Sequence, residues 1–434
     1  MQSSSALSWD VLWEEETARS RPLCVDLDGT LVSTDTLWEC VLWMLRRRPW
    51  LLLVAPFWLL GGRANFKRHV AARSLLDPAS LPYREDLLVA LRQLKKSGRK
   101  LVLASAADRE IAERVAKHLG LFDEVYASDG QANLRSVEKR TRLAQIYGAS
   151  GFDYVGDSHA DLSVFEGATR GFLVGPSARL AVLARTKGNV VIMSTRPSLI
   201  AALFKELRVH QWAKNALVVL PVVMAPGLPQ LHVIGQALLA ALAFSLCASA
   251  GYVWNDLLDL EADRAHHSKR WRPFASGALP VAYGPPLFVA LVSLGFGLSM
   301  LLLPPRFSIM LLLYFAGTLG YSLYLKRMLV VDVLALAGLY THRILAGGIA
   351  TSIPISSWLF GFSLFFFLSL AFAKRYVELA LFTGDGKIKN RDYYKVDLNM
   401  IGVMGPASGL LAALVFSLYV EMGAHRGAYL EPLV

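Results

Sequence analysis

Five stretches of the sequence, 231–254, 281–303, 307–325, 355–373 and 398–420, run for 19 to 24 residues without a charged side chain. About 20 apolar residues wound as a helix cross the hydrocarbon core of a bilayer, so each stretch is expected to span a membrane. All five lie in the second half of the 434 residues. Two weaker candidates join them. One is 212–228, interrupted by Pro221 and Pro226, and the other is 329–350, which contains Asp332 and Arg343. About seven spans are expected.

The character of the chain changes near residue 197. Residues 1–196 hold 27 Lys+Arg and 22 Asp+Glu and read as a soluble α/β domain. Residues 197–434 hold 18 and 12, gathered into clusters between the uncharged stretches. Fifteen of those 18 basic residues fall in segments on one side of the predicted spans: Lys205, Arg208, Lys214, Arg264, Lys269, Arg270, Arg272, Lys326, Arg327, Lys374, Arg375, Lys387, Lys389, Arg391 and Lys395. Basic loops stay inside, so that side and the N-terminal domain are expected to face the cytoplasm, in a multi-pass protein of the cytoplasmic (inner) membrane. The first twenty residues carry Asp10, Glu14, Glu15 and Glu16 and no long apolar run, so no signal peptide is expected.

Other classes fall away on composition. Cys24, Cys40 and Cys247 are too far apart for a disulfide scaffold or a thiolate zinc site. The net charge of +11 divides into +5 (27 less 22) on the first half and +6 (18 less 12) on the second. No basic groove with stacking aromatics accompanies it, so no nucleic-acid partner is expected. The apolar run Trp50–Leu60 stands apart, too short to span. It reads first as a core helix of a cap subdomain. The alternative is an interfacial segment flanked by Arg46, Arg47, Arg48 and Arg63.

The first half carries four chemical elements in order. Leu23-Cys24-Val25 reads as a strand running into Asp26-Leu27-Asp28-Gly29-Thr30, where two carboxylates leave a strand end together. One suits a nucleophile and the other a general acid/base. A second strand, 100–104, ends at Ser105, and Lys139 opens a helix. A third strand, 152–155, ends in Gly156-Asp157-Ser158-His159-Ala160-Asp161, with carboxylates suited to Mg²⁺. This arrangement resembles the haloacid dehalogenase-like hydrolases over about 21–185. The resemblance implies a Rossmann-like α/β domain with a helical cap at about 31–97. It also implies Asp26 as nucleophile, Asp28 as acid/base, Ser105 and Lys139 on the phosphoryl group, and Asp26, Asp157 and Asp161 around Mg²⁺.

In the second half, Asn255, Asp259 and Asp263 are spaced i, i+4, i+8, a spacing that lines one helix face just past a predicted span. Carboxylates there need a partner, and Mg²⁺ carrying a diphosphate is a natural one. Lys269, Arg270 and Arg272 follow, and guanidinium groups suit phosphate oxygens. The segment resembles the UbiA-type intramembrane prenyltransferases, all-α multi-span bundles with two Asp-rich motifs. The second motif departs here. The region reads Lys326-Arg327, then Asp332, then Arg343, with no carboxylate pair.

Together with His210-Gln211-Trp212-Ala213-Lys214-Asn215 and Lys374-Arg375 with Glu378, this looks like the decaprenyl-phosphate phosphoribosyltransferase-like branch, over about 198–425. The resemblance implies Mg-dependent transfer of 5-phosphoribose from phosphoribosyl pyrophosphate to a polyprenyl phosphate. Asn255, Asp259 and Asp263 would hold the metal, and Lys269, Arg270 and Arg272 the diphosphate. Lys214, Lys326 and Arg343 would hold the lipid phosphate, and Asp332 would contact ribose or a second metal. The fused hydrolase would remove the 5-phosphate from the product. Prenyl transfer to an aromatic acceptor such as 4-hydroxybenzoate is the rival enzyme reading; a transporter or scaffold with a vestigial hydrolase is the non-enzymatic one. The branch continues for a further hydrophobic helix beyond the last span seen here, so a C-terminal truncation is expected.

Overall fold

A computed structural model describes residue 9 and residues 20–129, 133–194, 198–382 and 393–425. Asp10, Glu14, Glu15, Glu16, Lys387, Lys389 and Arg391 from the charge reading, and Arg196 beside the expected boundary, lie outside the described residues. The chain forms two compact units. The first comprises Met1–Glu206 and Asp256–Pro286; the second comprises Leu207–Asn255 and Leu287–Val434. The division therefore does not follow the single boundary at 196/197, because a stretch of 31 residues from the second half groups with the first unit.

The first unit is built on β1 (Leu23–Val25), α1 (Thr36–Arg47), α2 (Leu51–Leu60), α3 (Gly62–Arg73), α4 (Glu85–Lys96), β2 (Leu101–Asp108), α5 (Arg109–Leu119), β3 (Glu124–Ser128), α6 (Val137–Tyr147), β4 (Asp153–Gly156), α7 (Leu162–Gly167), β5 (Gly171–Val174), α8 (Ala178–Arg185), β6 (Val190–Ser194) and α9 (Leu199–Leu207). The strands pair in parallel in the order β3-β2-β1-β4-β5-β6, with Leu23 opposite both Leu101 and Asp153. Parallel strands covered on both faces need continuous apolar runs, and β1, β4 and β5 are buried throughout. The order reverses beside β1, and ligands of such sheets bind at the carboxyl ends of the strands at that switch point. β2 runs past the expected end at Ser105 to Asp108, with a register shift against β3 between Ala104 and Asp108.

Helices α1–α4 occupy the stretch expected as a cap. They share one apolar core with the sheet, in which Cys40, Met44, Val70 and Leu91 join Leu23 and Val25. α1 starts where Asp35 accepts the N–H groups of Leu37 and Trp38. The core-helix expectation for residues 50–60 fails. Only Ala55 of α2 is buried, while Trp50, Leu53, Phe57, Leu59 and Leu60 are more than half exposed. A helix apolar on every side has no face to turn to water.

The remaining helices are α10 (Leu220–Met224), α11 (Leu231–Leu258), α12 (Leu260–Ala265), α13 (Gly284–Leu302), α14 (Pro305–Leu323), α15 (Val331–Thr351), α16 (Ser357–Ala380) and α17 (Leu398–His425). Among the described residues six helices are long and apolar enough to cross a membrane, those built on α11 and α13–α17. The chain is thus a multi-pass membrane protein. The expected span at 212–228 is not one helix. It is a 3-10 turn over Val209–Val218 followed by the five residues of α10, as Pro221 and Pro226 would dictate. Half of the apolar stretch of α11 and α15 is buried, against under a quarter in the other four, so these two hold the centre. Close approach at α15 needs glycine: a Cβ on Gly347 would lie 2.0 Å from the Val218 carbonyl oxygen.

Candidate functional site

The hydrolase residues converge at the switch point. β1 delivers Asp26 and Asp28, β4 delivers Asp157 and Asp161, and α6 delivers Lys139 in its first turn. Oxygen atoms of Asp26, Asp157 and Asp161 lie within 4.8 Å of one another. Gly29 has a φ of +77°, and a Cβ there would lie 2.1 Å from Asp157 Oδ2, so the turn after β1 admits only glycine.

Lys139 Nζ sits 3.0 Å from Asp26 Oδ1 and 3.4 Å from Asp161 Oδ1. It also donates to the Tyr154 hydroxyl at 2.7 Å, which in turn donates to Asp161 Oδ1 at 2.7 Å. Ser158 Oγ donates to Asp161 Oδ2 at 2.6 Å. Burial works to raise the Asp161 carboxyl, but Lys139 and Ser158 hold it below its ordinary value. Burial pushes Asp26 up to about 6, against the pull of Lys139. Asp28 is pushed well above the carboxylate range, by burial first and then by Asp35. Its Oδ1 accepts the Thr36 N–H at 2.9 Å. One buried acid paired with a cation and a second whose burial favours the protonated form suit a nucleophile and a proton donor.

The three carboxylates fit a hard divalent cation on two counts. They are all-oxygen donors, and Lys139 already marks a cation position between two of them. Ser105 is buried, and its Oγ accepts the Ala107 N–H at 3.0 Å. The sequence reading missed Lys67, Arg84 and Arg135, which line the same cavity. Lys67 donates to the Ala106 carbonyl at 2.8 Å and Arg84 to that of Gly29 at 3.1 Å. Nothing in their local sequence marks them; the chain folding back over β1 brings them in.

The Asp-rich segment differs from expectation. α11 ends at Leu258, Asp259 sits in the break, and α12 begins at Leu260. The continuous helix needed to line up Asn255, Asp259 and Asp263 is therefore absent, and Asp259 is exposed. The pair that forms is Asp256 with Asp263, two turns apart and both 2 % exposed. Arg272 Nη1 bridges them, at 2.9 Å to Asp256 Oδ1 and 2.7 Å to Asp263 Oδ2. Two carboxylate oxygens within 3 Å of one nitrogen share a cation, here the Arg272 guanidinium. Burial raises the Asp263 carboxyl and Arg272 opposes it. Lys269 and Arg270 are exposed on the following turn. Asp256 was passed over because i, i+4, i+8 selects its neighbour; what joins it to Asp263 is Arg272, from later in the chain.

In the second unit, Asn255 Oδ1 accepts the Ser322 hydroxyl. Lys214 is exposed, donates to Gln211, and lies in the field of Lys374, Arg343 and Arg208. Arg208 and Lys374 were not among the expected site residues. Arg343 is not open as a lipid-phosphate ligand. Its Nε donates to Asn215 Oδ1 at 2.9 Å, Nη1 to the Leu339 carbonyl at 2.8 Å and Nη2 to the Tyr314 hydroxyl at 3.0 Å. Asp332 is fully buried, 2.6 Å from Arg375 Nη2 and accepting from the Tyr393 hydroxyl. That corrects the expectation of a ribose or second-metal contact, since a charge pair so enclosed anchors α15 to α16. Lys326 is half-buried in the turn after α14.

Comparison with known proteins agrees with this division. The profile of the UbiA prenyltransferase family matches residues 216–422, and that of the haloacid dehalogenase-like hydrolases matches 23–166. An uncharacterized protein, y4nM, of Sinorhizobium fredii is 37% identical over 93% of this chain and 79% of its own length. A protein of Mycobacterium tuberculosis named decaprenyl-phosphate phosphoribosyltransferase is 36% identical over 44% of this chain, a match spanning 64% of that protein. The nodulation protein NoeC of Azorhizobium caulinodans is 34% identical over 50% of this chain and 71% of its own. The chain belongs to the UbiA prenyltransferase family of membrane-bound transferases and carries, fused ahead of that domain, a haloacid dehalogenase-like phosphatase domain.

Proposed function

We propose that the membrane domain transfers 5-phosphoribose from phosphoribosyl pyrophosphate to a polyprenyl phosphate, and that the hydrolase domain removes the 5-phosphate from the lipid-linked product. The observation that carries the transferase reading is that Asp332 is consumed by Arg375, leaving cations rather than a second carboxylate pair around Lys214. The similarity to proteins named for decaprenyl phosphate supports it. Arg272, Lys269 and Arg270 receive the donor's diphosphate. The bond from ribose C1 to the pyrophosphate oxygen breaks, an oxygen of the lipid phosphate bonds to C1, and pyrophosphate leaves with both electrons. Mg²⁺ at Asp256 and Asp263 would neutralise that leaving group. Lys214, with Arg208 and Lys374, holds the acceptor phosphate, and Arg343 contributes positive charge from its buried seat.

In the hydrolase, an Asp26 oxygen bonds to phosphorus as the bond from phosphorus to the C5 oxygen breaks. Asp28 gives its proton to that oxygen. Water then attacks the aspartyl phosphate, Asp28 takes the water's proton, and inorganic phosphate leaves. Lys139 holds Asp26 ionised, and a cation at Asp26, Asp157 and Asp161 would offset phosphoryl charge. The hydrolase faces the cytoplasmic side of the inner membrane, with α2 resting in the interface.

The test uses membranes given either labelled phosphoribosyl pyrophosphate with a polyprenyl phosphate or 4-hydroxybenzoate with a prenyl diphosphate. Label in the lipid phase is expected from the first pair. Label from the second pair alone overturns the transferase reading in favour of prenyl transfer.

A further inference from the structure

The phosphatase cavity is not enclosed by the hydrolase sequence alone. The first unit includes Asp256–Pro286, and this segment is fastened to the cap. Arg264 grips Glu39 with both nitrogens, Nη2 at 2.6 Å from Oε1 and Nη1 at 3.1 Å from Oε2, and its Nε donates to the Ala275 carbonyl at 3.2 Å. Glu39 is 1 % exposed, so the pair is buried. Arg46 Nη2 lies 2.7 Å from Glu261 Oε1. Gly277 has a φ of +75°, and a Cβ there would sit 2.2 Å from the Ser33 carbonyl oxygen. Backbone thus packs on backbone five residues beyond Asp28. Phe274, Ala275 and Leu279 are buried beneath.

This fastening brings Trp271, Gly277 and Tyr283 into the lining of an open cavity of about 870 Å³ together with Asp26, Asp28 and Lys139. Trp271 is 63% exposed and Tyr283 53%, and the Arg270 guanidinium stacks over the Trp271 ring at 5.0 Å from its centroid. Lys205 Nζ ties the wall back through the Trp271 carbonyl at 3.1 Å. Between Trp271 and Pro273 stands Arg272, whose nitrogen joins Asp256 to Asp263. One short loop therefore presents a guanidinium to the Asp-rich acids and two aromatic rings to the phosphatase cavity.

We infer that the 271–283 loop is the substrate-recognition wall of the phosphatase. It selects a phosphomonoester on a sugar carried by a lipid phosphate over a free phosphomonoester. Aromatic rings pack on apolar sugar faces, and the cavity is far larger than a phosphate requires. The selectivity for a lipid-borne sugar phosphate rests on the function proposed above; the wall itself rests on the packing alone.

The test is kcat/KM of the full-length protein on three substrates: p-nitrophenyl phosphate, ribose 5-phosphate and a polyprenyl-phosphoryl-ribose 5-phosphate. In Trp271→Ala the preference for the lipid-linked substrate over p-nitrophenyl phosphate is expected to fall about tenfold, with Trp271→Phe recovering most of it. Gly277→Val, which drives the loop off Ser33, is expected to alter the ranking of all three. Rankings that stay within about twofold in both Trp271→Ala and Gly277→Val overturn the wall, whatever the natural substrate. A wild-type protein that hydrolyses only the two soluble esters, with a ranking that Trp271→Ala changes, retains the wall and overturns the proposed substrate. No hydrolysis of any of the three overturns both.

Discussion

Asp26 and Asp161 flank Lys139 at the carboxyl ends of β1 and β4, and Asp256 and Asp263 flank Arg272 where α11 breaks into α12. Each cluster puts one cationic nitrogen between two acids. They differ in what fixes them. The first is pinned by a parallel sheet whose hydrogen-bond register leaves β1 and β4 no freedom, and its lysine is 2 % exposed. The second depends on a loop that returns nine residues after Asp263, and the Arg272 side chain is 28% exposed. A lysine locked among carboxylates suits a nucleophile that must stay ionised. A guanidinium that can swing from carboxylate to phosphate suits capture and release of a polyanion.

The largest effect expected from this contrast is at the rigid cluster. Asp26→Asn should reduce phosphate release by at least about 10³-fold, because the amide cannot form the aspartyl phosphate. Lipid labelling from phosphoribosyl pyrophosphate should persist, with the 5-phosphorylated lipid accumulating. Loss of labelling as well would mean that the two clusters are one catalytic unit.

At the adaptable cluster, Asp263→Asn should lower lipid labelling about 10²-fold, an electrostatic loss typical of one removed charge partner. Arg272→Lys keeps the charge and loses the planar fork, so about a tenfold loss is expected, appearing in KM for the diphosphate donor rather than in kcat. Equal effects of Asp259→Asn and Asp263→Asn would restore the continuous-helix geometry that the break at Leu258 denies.

The same contrast explains what was legible beforehand. Asp26, Asp28, Asp157 and Asp161 were readable because a strand end is a local event that a short apolar run announces, and Lys139 because it opens a helix. Asp256 was not, since its partner Arg272 returns from 16 residues later in the chain. Asp332 and Arg343 were recognisable as charges within a span, yet burial by Arg375, Tyr393, Asn215 and Tyr314 is set by neighbouring helices. Pro221 and Pro226 did foretell the failure of 212–228 as a single helix, but hydropathy outvoted them.

The fastening between cap and loop offers a smaller test through stability. Glu39→Gln leaves Arg264 buried without its charge partner, which typically costs about 3–5 kcal/mol. Thermal unfolding should fall accordingly, and Glu39→Gln with Arg264→Met should recover part of the loss. A double variant no better than the single would place the cost in the Ser80 and Ala275 carbonyls that Arg264 also serves.

The smallest effect concerns α2, in which only Ala55 is buried. Trp50, Leu53, Phe57, Leu59 and Leu60 left in water would forfeit on the order of 5–10 kcal/mol relative to burial. That is comparable to the whole stability of a domain, a gain that an apolar covering phase would supply. The chain already crosses a bilayer, and Arg47 and Arg48, both exposed, precede the helix as cations suited to anionic headgroups. The native cysteines are all buried, so Leu53→Cys or Leu60→Cys can be labelled selectively with an environment-sensitive fluorophore. In nanodiscs containing anionic lipid, emission from either site should be blue-shifted relative to a label at Glu138→Cys on exposed α6. Leu53→Glu should slow dephosphorylation of the lipid-linked substrate about threefold and spare p-nitrophenyl phosphate, because the helix positions the domain at the surface and touches no reacting group. Emission at position 53 matching that at 138 would remove the bilayer as the covering phase and leave a protein partner as the occupant of that face.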